Sequence, residues 1–386
     1  MRVWQFDPVN ITPYYNLAVC EALATAGCDV RYISSRFLYD DNLPYSSRFR
    51  TDFLYFQALE HPALVKFPRL RRLLRAVDYP LGHRRFLRLL KQQPPDMLHM
   101  QWSRIPRFDL PLIHQVKALG IPVVFTVHET VPIYESARIQ PKLEQVYAAA
   151  DRLIVHTEAN RADLLSRCPS VDPAHVCVIP HIALEHQDVP ANATQSRARA
   201  MLDLPADAPV LVFFGGIRRY KGLDILAEAY RLALNQRPDL HLLVAGRPES
   251  DEDLATLERL RQQPNTIVQA GFIPYESVWH YHLAGDITVF PYRHAYQSGA
   301  LLTAMNFKRP VIVTEVGGLP ETVDGNGWVV PPENPAALAE AILEAVSDRE
   351  RLRQMGERSR QLVDERYDGA VIAQQMIAVY DELLGR

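Results

Sequence analysis

The sequence predicts an α/β protein made of two doubly wound domains, each around its own parallel sheet. Three features predict it. At 386 residues the chain is longer than one core usually serves, which favours two domains with a cleft between them. Short apolar runs alternate with longer amphipathic segments, the pattern of strand–helix–strand units. The alternation stops at a polar stretch beginning near residue 183 and then starts again.

The first domain, residues 1–182, opens with the strand "RVWQF", a helical pattern over residues 15–26 and a second strand, "DVRYIS". "DMLHMQW", "PVVFTV", "RLIVHT" and "HVCVIP" follow, with helical patterns between several of them. Such unalternating apolar runs suit strands covered on both faces. "EHQDVPANATQSRARAMLDLPADAP" is rich in Ala, Pro and Asp and reads as a linker, residues 183–208, leading into a short helix. The second domain, residues 209–366, repeats the theme with "PVLVFF", "LHLLVAG", "NTIVQAGF", "DITVFPY" and "RPVIVTEV". Residues 367–386 carry an amphipathic helix expected to pack back on the first domain.

Composition narrows the setting. Hydrophobic residues make up 48% and charged residues 23%, and no apolar run reaches the ~18 residues of a membrane span. A net charge of −3 gives no global argument for nucleic-acid binding. Cys20, Cys28, Cys168 and Cys177 lack zinc-type spacing, and "MRVWQFDP" lacks the pattern of a secretory leader, so a reducing cytoplasm is the expected compartment.

The stretch "LVFFGGIRRYKGLDILAEAY" carries the strongest chemical signal. A strand ending in Gly215 and Gly216 lets backbone amides approach a ligand closely, while Lys221 and Arg218 or Arg219 supply cations beside a helix start. Diphosphate fits this best; the plain alternative is a glycine turn with a solvated basic face. Neither the P-loop nor the dinucleotide glycine spacing is present. In "DITVFPYRHAYQSGALLTAMNFKRPVIVTEVGGLPE" a loop with Gln297, Ser298 and Gly299 leads into the helix "ALLTAM", whose free amides make a second anion site. Paired glycines, Gly317 and Gly318, then precede Glu321.

His128 ends the strand "PVVFTVHET", at the carboxyl edge of the first sheet and facing the expected cleft. Alone, such a histidine is more often structural. Glu129 falls on the opposite strand face, and His181, after "VIP", suits a hinge or a structural role equally.

Taken together, "KGLDIL" three residues after an arginine, "VAGRP", "GFIP" and "QSGALLTAMNFKRPVIVTEVGGLPE" resemble the carboxyl-terminal domain of the retaining glycosyltransferases of family 4, which have the GT-B fold. The resemblance covers the second domain nearly end to end. In the first domain, "TPYYNLAVCEALATAGCDVRYIS", "VVFTVHE" and "VIPH" match more loosely. It implies transfer from a nucleotide-diphosphate sugar, UDP before GDP, with no bound metal and no further cofactor. It assigns catalysis to His128, Lys221 and Arg218, the base to main chain around Phe272 and Ile273, and the acceptor side to Thr12, Tyr14 and Glu129. Two glutamates usual in the family are replaced by Ala295 and Thr303. Donor contacts are then expected from His294, Gln297 and the amides of residues 298–300, with Gly215, Gly216, Arg219, Thr303 and Glu321 nearby. A nucleotide-sugar binder without turnover, or an epimerase or phosphorylase of the same fold, are the alternatives.

Residues 66–91, "KFPRLRRLLRAVDYPLGHRRFLRLLK", hold many arginines and leucines and one acid, Asp78. Helical spacing gathers Leu70, Leu73, Leu74 and Val77 with arginines alongside, among them Arg71, Arg72, Arg84 and Arg85. An anionic membrane surface is one partner for such a segment and would suit a lipid-linked acceptor. Two ordinary helices with leucines turned inward are the other reading. Nucleic acid is disfavoured because no aromatic platform accompanies the arginines.

Overall fold

Strands whose residues are apolar on both faces pack helices on both faces, and the computed structural model shows this twice. It describes residues 1–37, 43, 45–59, 67–131, 140–185 and 189–386. One unit comprises Met1–Ile182 with Asp368–Arg386, the other Ala183–Tyr367.

The first unit holds strands β1 (Arg2–Asp7), β2 (Asp29–Ser34), β3 (Arg50–Phe53), β4 (Met97–Met100), β5 (Val123–Thr126), β6 (Arg152–Val155) and β7 (Val176–Val178). They pair in parallel in the order β3-β2-β1-β4-β5-β6-β7. Register sets Val3 beside Val30 on one side and Met97 on the other. Period two then divides the core. Trp4, Phe6, Leu98, Met100, Val123 and Phe125 join one cluster, with Phe86 and Leu90 of a long helix; Val3, Val30, Met97, Val124 and Ile154 join the other.

Helices of this unit are α1 (Pro13–Thr25), α2 (Pro68–Gln92), α3 (Pro106–Ala118), α4 (Pro141–Ala149) and α5 (Glu158–Arg167). The second unit has α6 (Gln195–Met201), α7 (Leu223–Leu234), α8 (Asp251–Arg261), α9 (Val278–Ala284), α10 (Gly299–Asn306), α11 (Pro335–Ser347) and α12 (Arg349–Leu362). The chain then returns through a π-helical turn, Val363–Tyr367, to α13 (Gly369–Leu384). Ile372, Ala373, Met376 and Tyr380 of α13 share a cluster with Tyr15, Leu17, Val19 and Leu23 of α1, which places the last helix in the first unit's core.

In the second unit β8 (Val210–Phe214), β9 (His241–Gly246), β10 (Thr266–Ala270), β11 (Ile287–Phe290), β12 (Val311–Thr314) and β13 (Gly327–Val330) form a parallel sheet ordered β10-β9-β8-β11-β12-β13. Strand order reverses at β1/β4 in the first sheet and at β8/β11 in the second, where α/β sheets bind ligands beyond their strand ends.

Two strands escape the sequence pattern, β3 and β13, both at sheet edges. "RTDF" is polar at three of its four positions because its place depends on charge: Arg31, nearly buried on β2, pairs with Asp52 and with Gln93 at 2.8 Å. The stretch expected as a linker is instead built into the second unit. Its helix α6 presents Arg199, whose guanidinium is 5% exposed, to Asp286 at 2.8 Å and to the Ala284 carbonyl at 3.0 Å. Gln195 adds a bond to Asp286 at 3.0 Å. Breaking a buried pair from one side strands a charge. Arg199→Met is therefore expected to lower the stability of the second unit by about 3 kcal/mol, read as a lower urea midpoint, with β8 the first strand to lose amide-exchange protection.

Candidate functional site

The glycine turn after β8 is shaped by what surrounds it. Gly215 has φ +113°, and a Cβ added there would lie 3.1 Å from Lys221 Nζ and 3.8 Å from Ala300 Cβ. Two stretches read separately in the sequence thus converge on one half-buried turn of backbone. The 3-10 turn Arg219–Lys221 aims the lysine: Lys221 N donates to Arg218 O at 2.8 Å, and Gly222, left-handed at φ +68°, begins α7. Lys221 Nζ lies 5.5 Å from the centre of the Tyr292 ring, and burial pulls its pKa below the usual lysine value.

The structure separates the two arginines. Arg218 is half-buried beside Gly216 and paired with Glu249 at 2.5 Å; Arg219 is 77% exposed and meets Glu252 loosely at 3.8 Å. Glu249 and Arg293 are site residues that the sequence pattern does not reveal. Arg293 holds the basic turn from below, donating to Arg219 O at 2.8 Å and to both Asp224 carboxylate oxygens at 2.7–2.8 Å, with Glu333 at 2.8 Å. Only the fold brings that loop arginine under the turn.

Across the β8/β11 boundary, Ser298 caps α10 by accepting from Leu301 N at 3.3 Å. The amides of Gly299 and Ala300 remain at the helix start, beside Gly215. Gln297 is half-buried, and its Oε1 is enclosed without a hydrogen-bond partner. His294 is exposed, its ring edge-on to Tyr296 at 5.0 Å. Phe272, 45% exposed, and Ile273, partly buried against the core, follow β10 at the same end of the sheet. Glu321 is exposed on the 3-10 turn after β12.

Ala295 and Thr303 both point away from a ligand role. Ala295 is buried, and its carbonyl lies where a side chain on Gly317 would sit, 1.5 Å from that position. Thr303, expected among donor contacts, is buried, and its hydroxyl donates to Gly299 O at 3.0 Å, one turn back on α10. The polar groups that remain in this loop are His294, Gln297 and the α10 amides.

At the strand ends of the first unit, residues following β1, β4, β5 and β6 gather around one histidine. His128 stacks on Trp102 (4.8 Å, 13°) and meets Tyr15 edge-on at 4.7 Å. Trp102 Nε1 donates to Thr12 Oγ1 at 3.1 Å, which joins Thr12 to the group. Tyr14 packs part-buried against the core, and Glu129 is half-buried with its carbonyl accepting from Tyr147 at 3.3 Å.

His128 is more enclosed than a strand end facing a cleft predicts. It is 3% exposed, with Nε2 on Gln101 Oε1 at 3.1 Å and Nδ1 on His156 Nε2 at 3.1 Å. His156 Nδ1 donates to Ile179 O at 3.0 Å. Two oxygen acceptors thus bracket two rings, and filling all three contacts needs one proton more than two neutral imidazoles carry. Gln101 continues to Gln5 at 2.7 Å, Gln5 to His99 at 3.1 Å, and His99 to Tyr380 of α13 at 2.6 Å. Among the described residues no group of three or more His, Cys, Asp or Glu side chains is disposed to hold a metal ion.

Each unit is Rossmann-like, and together they have the GT-B fold. Residues 14–182 match the model described as Glycosyltransferase Family 4, and residues 208–348 that described as Glycosyl transferases group 1. The chain belongs to the family-4 glycosyltransferases. It is similar to D-inositol 3-phosphate glycosyltransferases of Streptomyces bingchenggensis (32% identical over 271 residues, 67% of this chain and 58% of that one) and Kineococcus radiotolerans (28% over 277 residues, 67% and 63%). It therefore spans about three fifths of these curated relatives' length. Among solved structures it resembles sucrose-phosphate synthase from Thermosynechococcus elongatus (TM-score 0.76, 24% identity, 100% and 99% covered). Another is Anabaena HepE, solved in complex with UDP-glucose (TM-score 0.71, 15% identity, 99% and 100% covered).

Burial makes the histidine cluster sensitive to acid. It holds His99 and His181 down at about 3, His156 at about 4 and His128 well below its ordinary value. The folded rings stay neutral while the unfolded chain takes up protons below about pH 6.5, so the unfolded state gains as pH falls. Unfolding by urea at pH 7 and pH 5 is expected to show a loss of up to about 1.4 kcal/mol per pH unit for each histidine, and His128→Gln is expected to reduce that slope.

Proposed function

We propose that the protein is a retaining glycosyltransferase that moves a sugar from a nucleotide-diphosphate sugar, UDP before GDP, to a saccharide or lipid-linked acceptor. Glycan, polysaccharide or glycolipid synthesis is the setting, without a bound metal, and an anionic membrane surface is the partner of residues 66–91. The observation that carries the reading is the side-chain-free backbone at Gly215, flanked by Lys221 Nζ and the start of α10. A diphosphate seated there meets a lysine, a buttressed arginine and helix amides together. Family membership supports the reaction type, and the UDP-glucose complex of HepE supports the base.

In this reading the bond from the anomeric carbon to the phosphate oxygen breaks as the acceptor oxygen bonds on the same face. The leaving phosphate takes the acceptor's proton, so no side chain need act as a strong base. That suits a His128 whose nitrogens are already occupied. Lys221 and Arg218 stabilise the charge growing on the diphosphate, and Glu249 keeps Arg218 in place.

A thermal-shift panel of nucleotide sugars tests the donor: a true donor at 100 times its Kd stabilises the fold by about 2.7 kcal/mol. With that donor, Lys221→Ala is expected to lower kcat/KM by about 10²–10³ with the fold intact, whereas Arg219→Ala changes it less than about threefold. Turnover is expected to survive EDTA. Normal activity in Lys221→Ala refutes the phosphate assignment, and donor binding without turnover on any acceptor makes the protein a nucleotide-sugar binder.

A further inference from the structure

Residues 68–92 form one continuous helix, α2, not two, and its leucines divide between two faces. Tyr79, Phe86 and Leu90 are buried in the first unit's core, and Gly82 gives way to the Tyr55 ring, which would lie 2.3 Å from an added Cβ. The opposite face is apolar and uncovered. Leu70, Leu73, Val77 and Leu81 follow one another at spacings of three and four, and Leu73 and Val77 are 68% and 65% exposed. Phe67, just before the helix, is 60% exposed. The leucines expected to turn inward in an ordinary helix pair are those that face out.

Continued toward the carboxyl end, the same face changes character. Arg84, Arg88 and Lys91 extend the spacing and are exposed, and Arg69 and Arg72 flank its apolar half. The apolar part runs ~16 Å and the basic part ~10 Å along the axis. Two of the inward arginines are occupied: Arg85 chelates Asp78 at 2.8 Å, and Arg75 lies over the Phe56 ring at 4.1 Å. Asp78, the one acid of the helix, also accepts from Phe56 N at 2.8 Å, so no carboxylate offsets the outer cations from within α2.

We infer that this face of α2 is a docking surface for anionic lipid, with the Leu70–Leu81 stripe in the acyl boundary and Arg84, Arg88 and Lys91 at the headgroups. Charge complementarity selects this occupant. A second copy paired through the apolar stripe would bring no free carboxylate of its own α2 to Arg84, Arg88 and Lys91, since Asp78 is already held, and a polyanion in solution would leave the aliphatic stripe uncovered. Arginine's long stem lets the basic half reach phosphates while the apolar half inserts. The inference deepens the membrane partner named above and rests on that reading, but it needs no transfer reaction.

The test is co-sedimentation with vesicles of phosphatidylcholine alone or with 30% phosphatidylglycerol, at 0.1 M and 1 M salt. The full chain is compared with Leu73→Ser/Val77→Ser and with Arg84→Gln/Arg88→Gln/Lys91→Gln. These positions are exposed, and circular dichroism checks each fold. Binding is expected only to the anionic vesicles, at least tenfold weaker in either variant and in 1 M salt. Equal binding to both vesicle types, no binding to either, or unchanged binding in the variants overturns the inference. So does vesicle-free self-association that Leu73→Ser/Val77→Ser abolishes, which assigns the face to a second copy, or polyglutamate binding indifferent to Leu73 and Val77. Because no step involves turnover, a failed transferase assay leaves this result standing, and the reverse holds too.

Discussion

A parallel sheet covered on both faces has only its strand ends left for chemistry. In both units the central strands are buried almost throughout, so a ligand can meet their backbone only where a strand stops. Everything placed in the candidate sites follows from that constraint. Gly215, Pro291 and Gly317 stand just beyond β8, β11 and β12, and Trp102, His128 and His156 just beyond β4, β5 and β6. The glycines are needed because these ends crowd one another. Gly317 sits against the Ala295 carbonyl, and a side chain there would drive the two loops apart.

Much of this was legible in the sequence because burial on both faces writes unbroken apolar runs. Eleven strands are visible that way; β3 is not because its residues are mostly polar, and β13 is not because its four-residue run GWVV is too short to stand out. The glycine turn, Lys221 and the start of α10 were legible from residue type, but their convergence within 4 Å was not. Partners distant in sequence were invisible for the same reason: Glu249 lies beyond the next strand from Arg218, and Arg293 lies 69 residues from the Asp224 it grips. The burial of His128 was not legible because strand position predicts direction, not company. Gln101, Trp102 and His156 arrive from two other strands.

The loss of the two glutamates has a physical counterpart in this packing. Ala295 is sealed under Gly317 within a cluster holding Leu301, Leu302 and Val313, where a carboxylate would have to be desolvated. The loop therefore keeps its shape by apolar contact, and its polarity is carried by an enclosed amide, Gln297, and by backbone. A neutral acceptor in place of a carboxylate repels a nearby anion less.

The return of α13 to the first unit makes residues 183–367 an interruption within that unit's chain. Tyr380 lies 2.6 Å from His99, and Met376 and Ile372 share with α1 the core on one face of the sheet. During synthesis, the first sheet must wait with that apolar surface open while the whole second unit emerges, since its closing helix is made after it. The second unit has no such dependence and can fold as soon as Tyr367 is out. The part of the protein made first is thus the part completed last, and its newborn form is the one a chaperone would have most reason to hold.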